Sequence, residues 1–382
     1  MNREVGALLS LQPNAQKIVN GWNIDHLLSA ARPTAERKFK ILNVHGDIKM
    51  NIDMDDTKYG ADRMVYHRQD LHTALREACM STSLPGRPAN IITSSKVIEC
   101  KCEEALVVLE DGTRHQGDLV IGADGIHSVI RKAVTAGKIA SASVEPKPTG
   151  KSAYRLLLQT KDILSLDVDA KIFDPRAQAT TMMMGHDKRV IMGPARGGEL
   201  LGIVALVPDE RMHEDSADNT WTTAGSLDKL LDVYKDFPGW IRELFRFAPD
   251  IALWQLRDID PLPNWTKGRT VIIGDAAHAM LPTQGQGASQ SIEDAEALQA
   301  FFAGLLDTPS LQDIQERLER FFEARFDRAS LIQAYSRQQA APATEIGSTS
   351  IKLNPAEFMN YNCDYPGAVK WLERQRATKS LV

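Results

Sequence analysis

The chain has 382 residues, 43% of them hydrophobic and 25% charged, with a formal net charge of -5. This composition supplies ample material for a sizeable core, and the small net charge favours neither a nucleic acid nor an anionic membrane surface as a partner. The longest apolar stretches are only strand length, and four scattered cysteines suit neither a disulfide framework nor a metal site, so we expect a cytoplasmic protein without a membrane anchor.

The first candidate site residue along the chain is Arg68, which opens a predicted helix within residues 66–75. Its planar guanidinium has the geometry that suits phosphate oxygens. A surface arginine at a helix start is the alternative interpretation.

Residues 118–131 predict a strand, a tight turn and a helix. The apolar strand ends at Gly122, and Asp124 and Gly125 follow in the turn. The two glycines permit close backbone approach at this point. Acidic turns after strands are common, so this segment alone is weak evidence for a ligand site.

Residues 146–258 alternate short apolar runs with turn residues, which predicts a β-sheet domain. The predicted strands cover 153–158, 180–184, 189–192 and 203–207.

The most informative segment begins with the β-branched run 271–273, which is typical of a buried parallel strand. Gly274 and Asp275 end it, and the carboxyl edge of an open α/β sheet is where ligands bind. A helix is predicted after Gly285 and Gly287, and its start would stabilise negative charge. The apolar positions that predict this helix are Ile292, Ala295, Leu298 and Phe302.

Residues after about 300 have a helical pattern. We expect a helix packed on the sheet with a solvated charged face that includes Arg325 and Arg328.

The pattern GDAAHxxxPxxGQGxxxxxED at 274–294 resembles the second FAD-binding motif of the class A FAD-dependent aromatic monooxygenases, the group of salicylate and p-hydroxybenzoate hydroxylases. Residues 118–131 resemble the DG motif of the same family, and 66–75 resemble its arginine-bearing helix. The segments 152–155, 193–199 and 254–258 carry the resemblance more weakly through the β-sheet region.

The resemblance implies roles for individual residues. Asp275 would bind the flavin ribityl chain, Pro282 would lie beside the isoalloxazine ring, and the amides from Gly285 to Gly287 would face its pyrimidine edge. His278 would pack and hydrogen-bond rather than catalyse; no catalytic side chain and no metal ligand is predicted. The implied cofactor-binding residues are Arg68, Asp124, Gly125, Arg131, Gly274, Asp275, Pro282, Gly285, Gln286 and Gly287.

The resemblance also implies the fold and the reaction. The fold class is α/β: a Rossmann-like FAD/NAD(P)-binding domain at 1–145 and 259–382, with C-terminal helices, interrupted by a β-sheet substrate domain at 146–258. NAD(P)H would reduce FAD, dioxygen would be captured as a flavin C4a-hydroperoxide, and one oxygen atom would pass to an aromatic substrate, most simply a phenol.

One family feature is missing from the sequence. Relatives begin with a βαβ unit that carries G-x-G-x-x-G, but this pattern does not occur here, and residues 3–7 and 11–15 resemble the segment that follows it. We therefore expect an N-terminally truncated Rossmann-like domain that lacks about 30 residues. An incomplete gene model is favoured over a half supplied in trans or a relative that works without tightly held FAD. The alternative functions are a flavin-independent isomerase or cyclase and a non-catalytic remnant that binds a small molecule.

Overall fold

The computed structural model describes residues 8–54, 56–138, 144–209, 222–305, 308–341 and 351–379; the segment 3–7 lies outside the described residues. The chain forms two compact units. The first unit comprises 1–89, 148–256 and 342–345, and the second comprises 90–147, 257–341 and 346–382. Each unit has its own hydrophobic core.

The described strands are β1 (Leu8–Leu11), β2 (Thr34–Ala35), β3 (Lys38–Asn43), β4 (Ile48–Asp53), β5 (Met64–His67), β6 (Val97–Lys101), β7 (Leu106–Leu109), β8 (Arg114–Gln116), β9 (Val120–Gly122), β10 (Lys147–Gln159), β11 (Ala179–Met184), β12 (Arg189–Ala195), β13 (Leu200–Pro208), β14 (Thr222–Ala224), β15 (Ile251–Asp258), β16 (Thr266–Lys267) and β17 (Thr270–Ile272). The described α-helices are α1 (Pro13–Asn20), α2 (Asp25–Ala30), α3 (Asp56–Tyr59), α4 (Arg68–Met80), α5 (Val129–Thr135), α6 (Leu227–Val233), α7 (Gly239–Arg246), α8 (Asp275–His278), α9 (Gly287–Phe302), α10 (Leu311–Ala340), α11 (Pro355–Cys363) and α12 (Ala368–Lys379).

The first unit is built on an eight-stranded sheet with the order β14-β15-β10-β13-β12-β11-β3-β4. The predicted strands of the β-sheet region fall within β10 to β13. Because side chains alternate between the faces of a strand, Tyr154, Leu156 and Leu158 of β10 enter one core together with residues of α6 and α7. The intervening Arg155 and Leu157 are only half-buried on the other face.

A smaller sheet of the first unit has the order β1-β5-β2, and β5 leads directly into α4. The side chain of Leu8 in β1 packs against Gly202 of β13. A Cβ atom at Gly202 would lie 2.3 Å from Leu8 Cγ, so this close approach requires glycine.

The second unit contains the sheet β16-β17-β9 and the antiparallel sheet β6-β7-β8. β17 and β9 are parallel, with Ile272 opposite Gly122. Val271 and Ile272 are fully buried, as the β-branched run predicts. Among the described residues β9 forms an edge of its sheet, and Ile121 in its middle is 48% exposed.

Helices α9, α10 and α12 pack on one another in the second unit, and α10 is 30 residues long. Its start is fixed by a capping box between Ser310 and Asp313. In the described ranges, no helix has both the length and the apolarity that crossing a bilayer requires.

Candidate active site

The carboxyl ends of β9 and β17 bring the two sequence motifs of the second unit together. Besides the register of the strands, the Ile273 amide donates to the Gly122 carbonyl at 3.0 Å, so the pairing continues to the strand ends. Asp124 and Asp275 therefore follow neighbouring parallel strands at one edge of the sheet. This is the edge at which open α/β sheets bind ligands.

Asp275 presents an available carboxylate at this edge. Its side chain is exposed, and it accepts no hydrogen bond from the residues that the structure describes. The preceding Gly274 has φ 58° and ψ -142°, and a Cβ atom there would lie 2.9 Å from Ser291 Oγ. Gly274 is thus required both by its backbone conformation and by space, and it sets Asp275 at the start of α8.

The carboxylate of Asp124 is already hydrogen-bonded within its own turn. It accepts hydrogen bonds from Ser128 Oγ at 2.5 Å, the Val129 amide at 2.7 Å and the Ile130 amide at 3.1 Å. These bonds satisfy amides at the start of α5. Gly125 has φ 74°, which allows the turn to close. Asp124 therefore fixes the turn between β9 and α5, whereas the carboxylate of Asp275 remains available as a hydrogen-bond acceptor at this edge of the sheet.

Arg131 connects the two motifs. Its side chain is fully buried, and it donates to the carbonyls of Ala276 at 3.2 Å, Asp275 at 3.4 Å and Ile126. Burial lowers the pKa of Arg131. These contacts favour a role for Arg131 in holding α5 and α8 together, rather than a direct contact to a phosphate.

The start of α9 follows a glycine-rich turn and has no cap from its N-cap side chain. Pro282 opens a 3₁₀ turn that ends at Gly285, whose φ of 60° is left-handed. Gln286 is buried at the N-cap, and its side chain makes no capping hydrogen bond to the helix. A Cβ atom at Gly287 would meet nothing within 4 Å. An uncapped helix start with open space at its first residue can accept negative charge.

Asp294, the last residue of the quoted motif, holds the turn at Gly274. It accepts the Gly274 amide at 2.9 Å, pairs with His278 Nε2 at 2.7 Å and accepts from Arg325 Nε at 2.8 Å. Burial alone would raise the pKa of Asp294, but the charges of His278 and Arg325 and these hydrogen bonds outweigh it and hold that pKa below its usual value. His278 therefore hydrogen-bonds and packs, as the resemblance implies.

Glu293 and Asp294 at the end of the motif form a buried charge layer with Arg325 and Arg328. The sequence did not predict this layer. All four side chains are 0% exposed. Glu293 pairs with Arg325 and, at 2.7 Å, with Arg328, which also donates to the Tyr361 carbonyl at 2.8 Å. The prediction that Arg325 and Arg328 lie on a solvated face is wrong. A signal was present, because both follow the 3- and 4-residue spacing of Leu318, Phe321 and Ile332.

The predicted helix is confirmed as α9, but the apolar positions that predicted it do not form its buried face. Ala295 is exposed, Ile292 and Phe302 are half-buried, and only Leu298 of these four positions is buried. The buried face near the helix start is polar: Ser289, Gln290, Glu293 and Asp294.

Arg68 lies in the first unit, where it is the first residue of α4 and its side chain is exposed. The remaining nine predicted cofactor-binding residues lie in the second unit, at or next to the two strand ends and the start of α9.

The cluster in the second unit suits the flavin end of FAD. The Asp275 carboxylate can accept hydrogen bonds from chain hydroxyls, and the start of α9 can face the electron-rich edge of an isoalloxazine ring. The buried pair of His278 and Asp294 fixes the turn between these two features.

Comparisons with known proteins agree with this geometry. Residues 23–320 match the family described as FAD binding domain. The chain is 31% identical to hispidin-3-hydroxylase of Neonothopanus nambi over 88% of this chain and 80% of that protein. It is 32% identical to salicylate hydroxylase of Pseudomonas putida over 87% of this chain and 76% of that protein. The solved structure of a salicylate hydroxylase substrate complex superposes with a TM-score of 0.77 at 26% identity, covering 96% of this chain and 90% of that chain.

Proposed function

This chain belongs to the family of class A FAD-dependent monooxygenases, and from that membership we propose that it hydroxylates a phenol or a related small aromatic molecule with NAD(P)H and dioxygen as co-substrates. The similar proteins named hispidin-3-hydroxylase and salicylate hydroxylase support an aromatic substrate. The single structural observation that carries the proposal is the available Asp275 carboxylate beside the uncapped start of α9.

We assign the flavin end of FAD to the residues of this edge. Asp275 would accept hydrogen bonds from the ribityl hydroxyls, and Gln286 and Gly287 would present backbone amides to the ring. The Gly285 amide donates to the Pro282 carbonyl at 3.0 Å and fixes the turn before them. When bound, FAD supplies the redox chemistry, because it accepts a hydride from NAD(P)H and activates dioxygen for transfer of one oxygen atom.

The protein's own residues bind and orient the flavin. The dipole of α9 stabilises negative charge on the ring, and this stabilisation needs no reorganisation because the amides are already in place. Arg131 and Asp294 hold the backbone on either side of Asp275, so the carboxylate stays at the strand end.

The first unit offers a surface that suits an aromatic ring. On the face of the large sheet opposite its core, Val204, Ile191 and Met182 lie side by side in register on β13, β12 and β11. All three are half-buried apolar side chains. Such side chains favour a flat apolar ligand.

The activity is tested with purified protein, FAD, NADH or NADPH, and a panel of phenols under ¹⁸O₂. We expect NAD(P)H oxidation that depends on the phenol and a product that carries one ¹⁸O atom, detected by mass spectrometry. A protein that binds FAD yet incorporates no ¹⁸O into any phenol would contradict the proposal, as would turnover of a substrate without a redox change.

The cofactor assignment is tested with Asp275→Asn, which should weaken FAD binding about tenfold, because it replaces hydrogen bonds to a charged acceptor by neutral ones. The matched control is Asp118→Asn, which removes an exposed carboxylate just before the opposite end of β9. FAD affinity is measured by quenching of flavin fluorescence. Equal affinities of the two variants would show that Asp275 does not bind the cofactor.

A further inference from the structure

Cys100 and Cys102 form a pair of thiols in the second unit. Cys100 lies on β6 and is half-buried, and Cys102 directly follows that strand and is 5% exposed. Side chains two positions apart along an extended chain leave its same face, so the two sulfurs point the same way. Two strand residues span about 6.6 Å, which lies within the Cα–Cα separation of about 4.4 to 6.8 Å that a disulfide needs.

The neighbouring strand β17 holds this pair in place. Thr270 Oγ1, at the start of β17, lies 3.9 Å from Cys100 Sγ and donates to the Cys102 carbonyl at 3.3 Å. The Arg269 amide donates to the same carbonyl at 2.8 Å. The backbone of Cys102 is therefore fixed to the strand whose other end carries the cofactor edge.

The two thiols also change each other's acidity. The Cys100 thiol donates a hydrogen bond to the Cys102 sulfur, and this bond lowers the pKa of Cys102 to about 7 and raises the pKa of Cys100. The charge of Lys267 lowers the pKa of Cys102 further, whereas burial and the charge of Glu103 oppose the lowering. A thiolate with a second thiol beside it is the arrangement in which a cysteine reacts with a peroxide and is then resolved as a disulfide.

We propose that Cys100 and Cys102 are a modification site, which hydrogen peroxide converts reversibly into a disulfide. The Cys102 thiolate attacks the peroxide: an S–O bond forms, the O–O bond breaks, and hydroxide leaves with the proton that Cys102 had released, as water. The sulfur is oxidised to a sulfenic acid while the peroxide is reduced.

The second step closes the disulfide. The Cys100 sulfur attacks the Cys102 sulfur, the S–O bond breaks, and the leaving oxygen takes the Cys100 proton and departs as water. Two thiols and one hydrogen peroxide thus give one disulfide and two water molecules. A small thiol reductant reverses the change by thiol–disulfide exchange. The site is independent of the proposed hydroxylation, because it needs neither FAD nor an aromatic substrate.

The position of Lys101 between the two cysteines makes the disulfide directly detectable. Trypsin cleaves after lysine and arginine, so the oxidised chain should release residues 97–101 and 102–114 as one cross-linked pair of peptides. The reduced full chain is treated with hydrogen peroxide at pH 7, and remaining thiols are blocked with N-ethylmaleimide during unfolding in urea. Mass spectrometry of the digest should show the cross-linked pair, and dithiothreitol added before blocking should abolish it.

The exposed Cys79 of the first unit is the internal reference for the rate. With a pKa of about 7, about half of Cys102 is thiolate at pH 7, whereas an ordinary thiol with a pKa of about 8.5 is only a few per cent thiolate. A less basic thiolate is also a weaker nucleophile, which removes part of this gain. We expect the Cys102 thiol to be lost about threefold faster than the Cys79 thiol.

Single serine variants assign the two steps to the two sulfurs. In Cys100→Ser the sulfenic acid on Cys102 has no resolving thiol, so dimedone should trap it on the peptide 102–114. In Cys102→Ser the remaining Cys100 should react with dimedone and peroxide at least about threefold more slowly. Cys79→Ser is the matched control and should leave the cross-linked pair unchanged. Thermal unfolding of each variant checks that it is folded.

Three results would overturn the proposal. The first is a digest without the cross-linked pair at a peroxide concentration that has oxidised half of Cys79. The second is a pair that dithiothreitol does not separate. The third is equal dimedone labelling of Cys100 in Cys102→Ser and of Cys102 in Cys100→Ser.

Discussion

Asp294 shows how one carboxylate can organise a cofactor edge without touching the cofactor. Its two oxygens serve three groups: the Gly274 amide, His278 and Arg325. Only an ionised carboxylate accepts from all of them, because a protonated one carries a donor on one oxygen. The position of Asp275 therefore depends on the ionisation of a residue 19 positions later in the sequence.

The contribution of Asp294 to stability should depend on pH. Because its pKa is lower in the folded state than in the unfolded chain, its stabilisation is present above the ordinary carboxyl pKa of about 3.9 and is lost as the pH falls through the folded value. Asp294→Asn should cost about 3 to 5 kcal/mol near pH 7, and the difference from wild type should narrow below about pH 4.

Urea unfolding at a series of pH values measures this difference. The control is Asp364→Asn, whose side chain is 74% exposed and lies 3.8 Å from Arg374. It should change stability by less than about 1 kcal/mol at any pH. An Asp294→Asn deficit that stays constant from pH 7 to pH 3 would rule out ionisation as its source.

At the scale of single residues, the sequence predicted the positions of the two aspartates at the strand ends but not their different roles. It placed both Asp124 and Asp275 at the carboxyl edge, because a glycine and an acid after an apolar run are local signals. It did not predict that Asp124 uses its carboxylate to cap α5 while Asp275 keeps its own available. That difference depends on the geometry of each turn.

At the scale of elements, the buried charge layer joins α9 to α10, to the last turn of α11 and to Tyr365 between α11 and α12. Arg328 donates to the carbonyls of Tyr361 and Asn362, and its guanidinium lies 4.6 Å from the Tyr365 ring centre. The sequence assigned such arginines to solvent because the residue type favours exposure. Their partner Glu293 lies on another helix, 32 positions from Arg325 and 35 from Arg328, and no local pattern encodes such a pairing.

Removing both charges of a pair in this layer should cost less than the sum of the costs of removing each charge alone. Arg328→Met removes one of the two positive charges that compensate the carboxylate of Glu293, and Glu293→Gln leaves two arginines facing each other. Each variant should lower the free energy of unfolding by about 3 to 5 kcal/mol. The double variant should cost less than the sum by about 1 to 3 kcal/mol, because neither partner is then left unpaired. Urea unfolding of the four chains completes the cycle.

An exposed ion pair between α12 and α10 provides the comparison. Arg376 of α12 and Glu323 of α10 are 56% and 37% exposed. Arg376→Met and Glu323→Gln should each cost less than about 1 kcal/mol and should show little coupling. Additive losses in the buried pair, or equal coupling in the two pairs, would contradict a special role for the buried layer.

The strands show the same limit of prediction. Their positions in the β-sheet region were predicted because alternation and turns are local. Their partners were not, since β3 pairs in parallel with β11, with Lys38 opposite Ala179. Strands this far apart in the sequence pair only when the whole sheet forms, so local patterns do not predict their pairing. Because β3 pairs with β11, residues 1–89 belong to the same unit as the large sheet.

At the scale of the whole molecule, the predicted flavin contacts occupy a small part of one unit, so the effect of the ligand should be uneven. The two units have separate cores, and nine of the ten predicted cofactor-binding residues lie in the second. A ligand at 100 times its dissociation constant stabilises the state that binds it by about 2.7 kcal/mol. Local openings that break the site should become rarer by the corresponding factor, about 100-fold.

Hydrogen exchange followed by mass spectrometry should therefore show a localised change when FAD is added. We expect slower exchange in peptides covering the turn after β9, the segment from β17 to α8, and the first turn of α9, because their amides bind the ligand or are held by residues that do. The edge strand β4 of the first unit and the sheet β6-β7-β8 of the second unit should exchange as before. Since both reference regions are built from short strands, they control for a general tightening of the fold. Uniform protection across both units, or protection that spares α9, would show that FAD is not held at the edge formed by Asp275 and the start of α9.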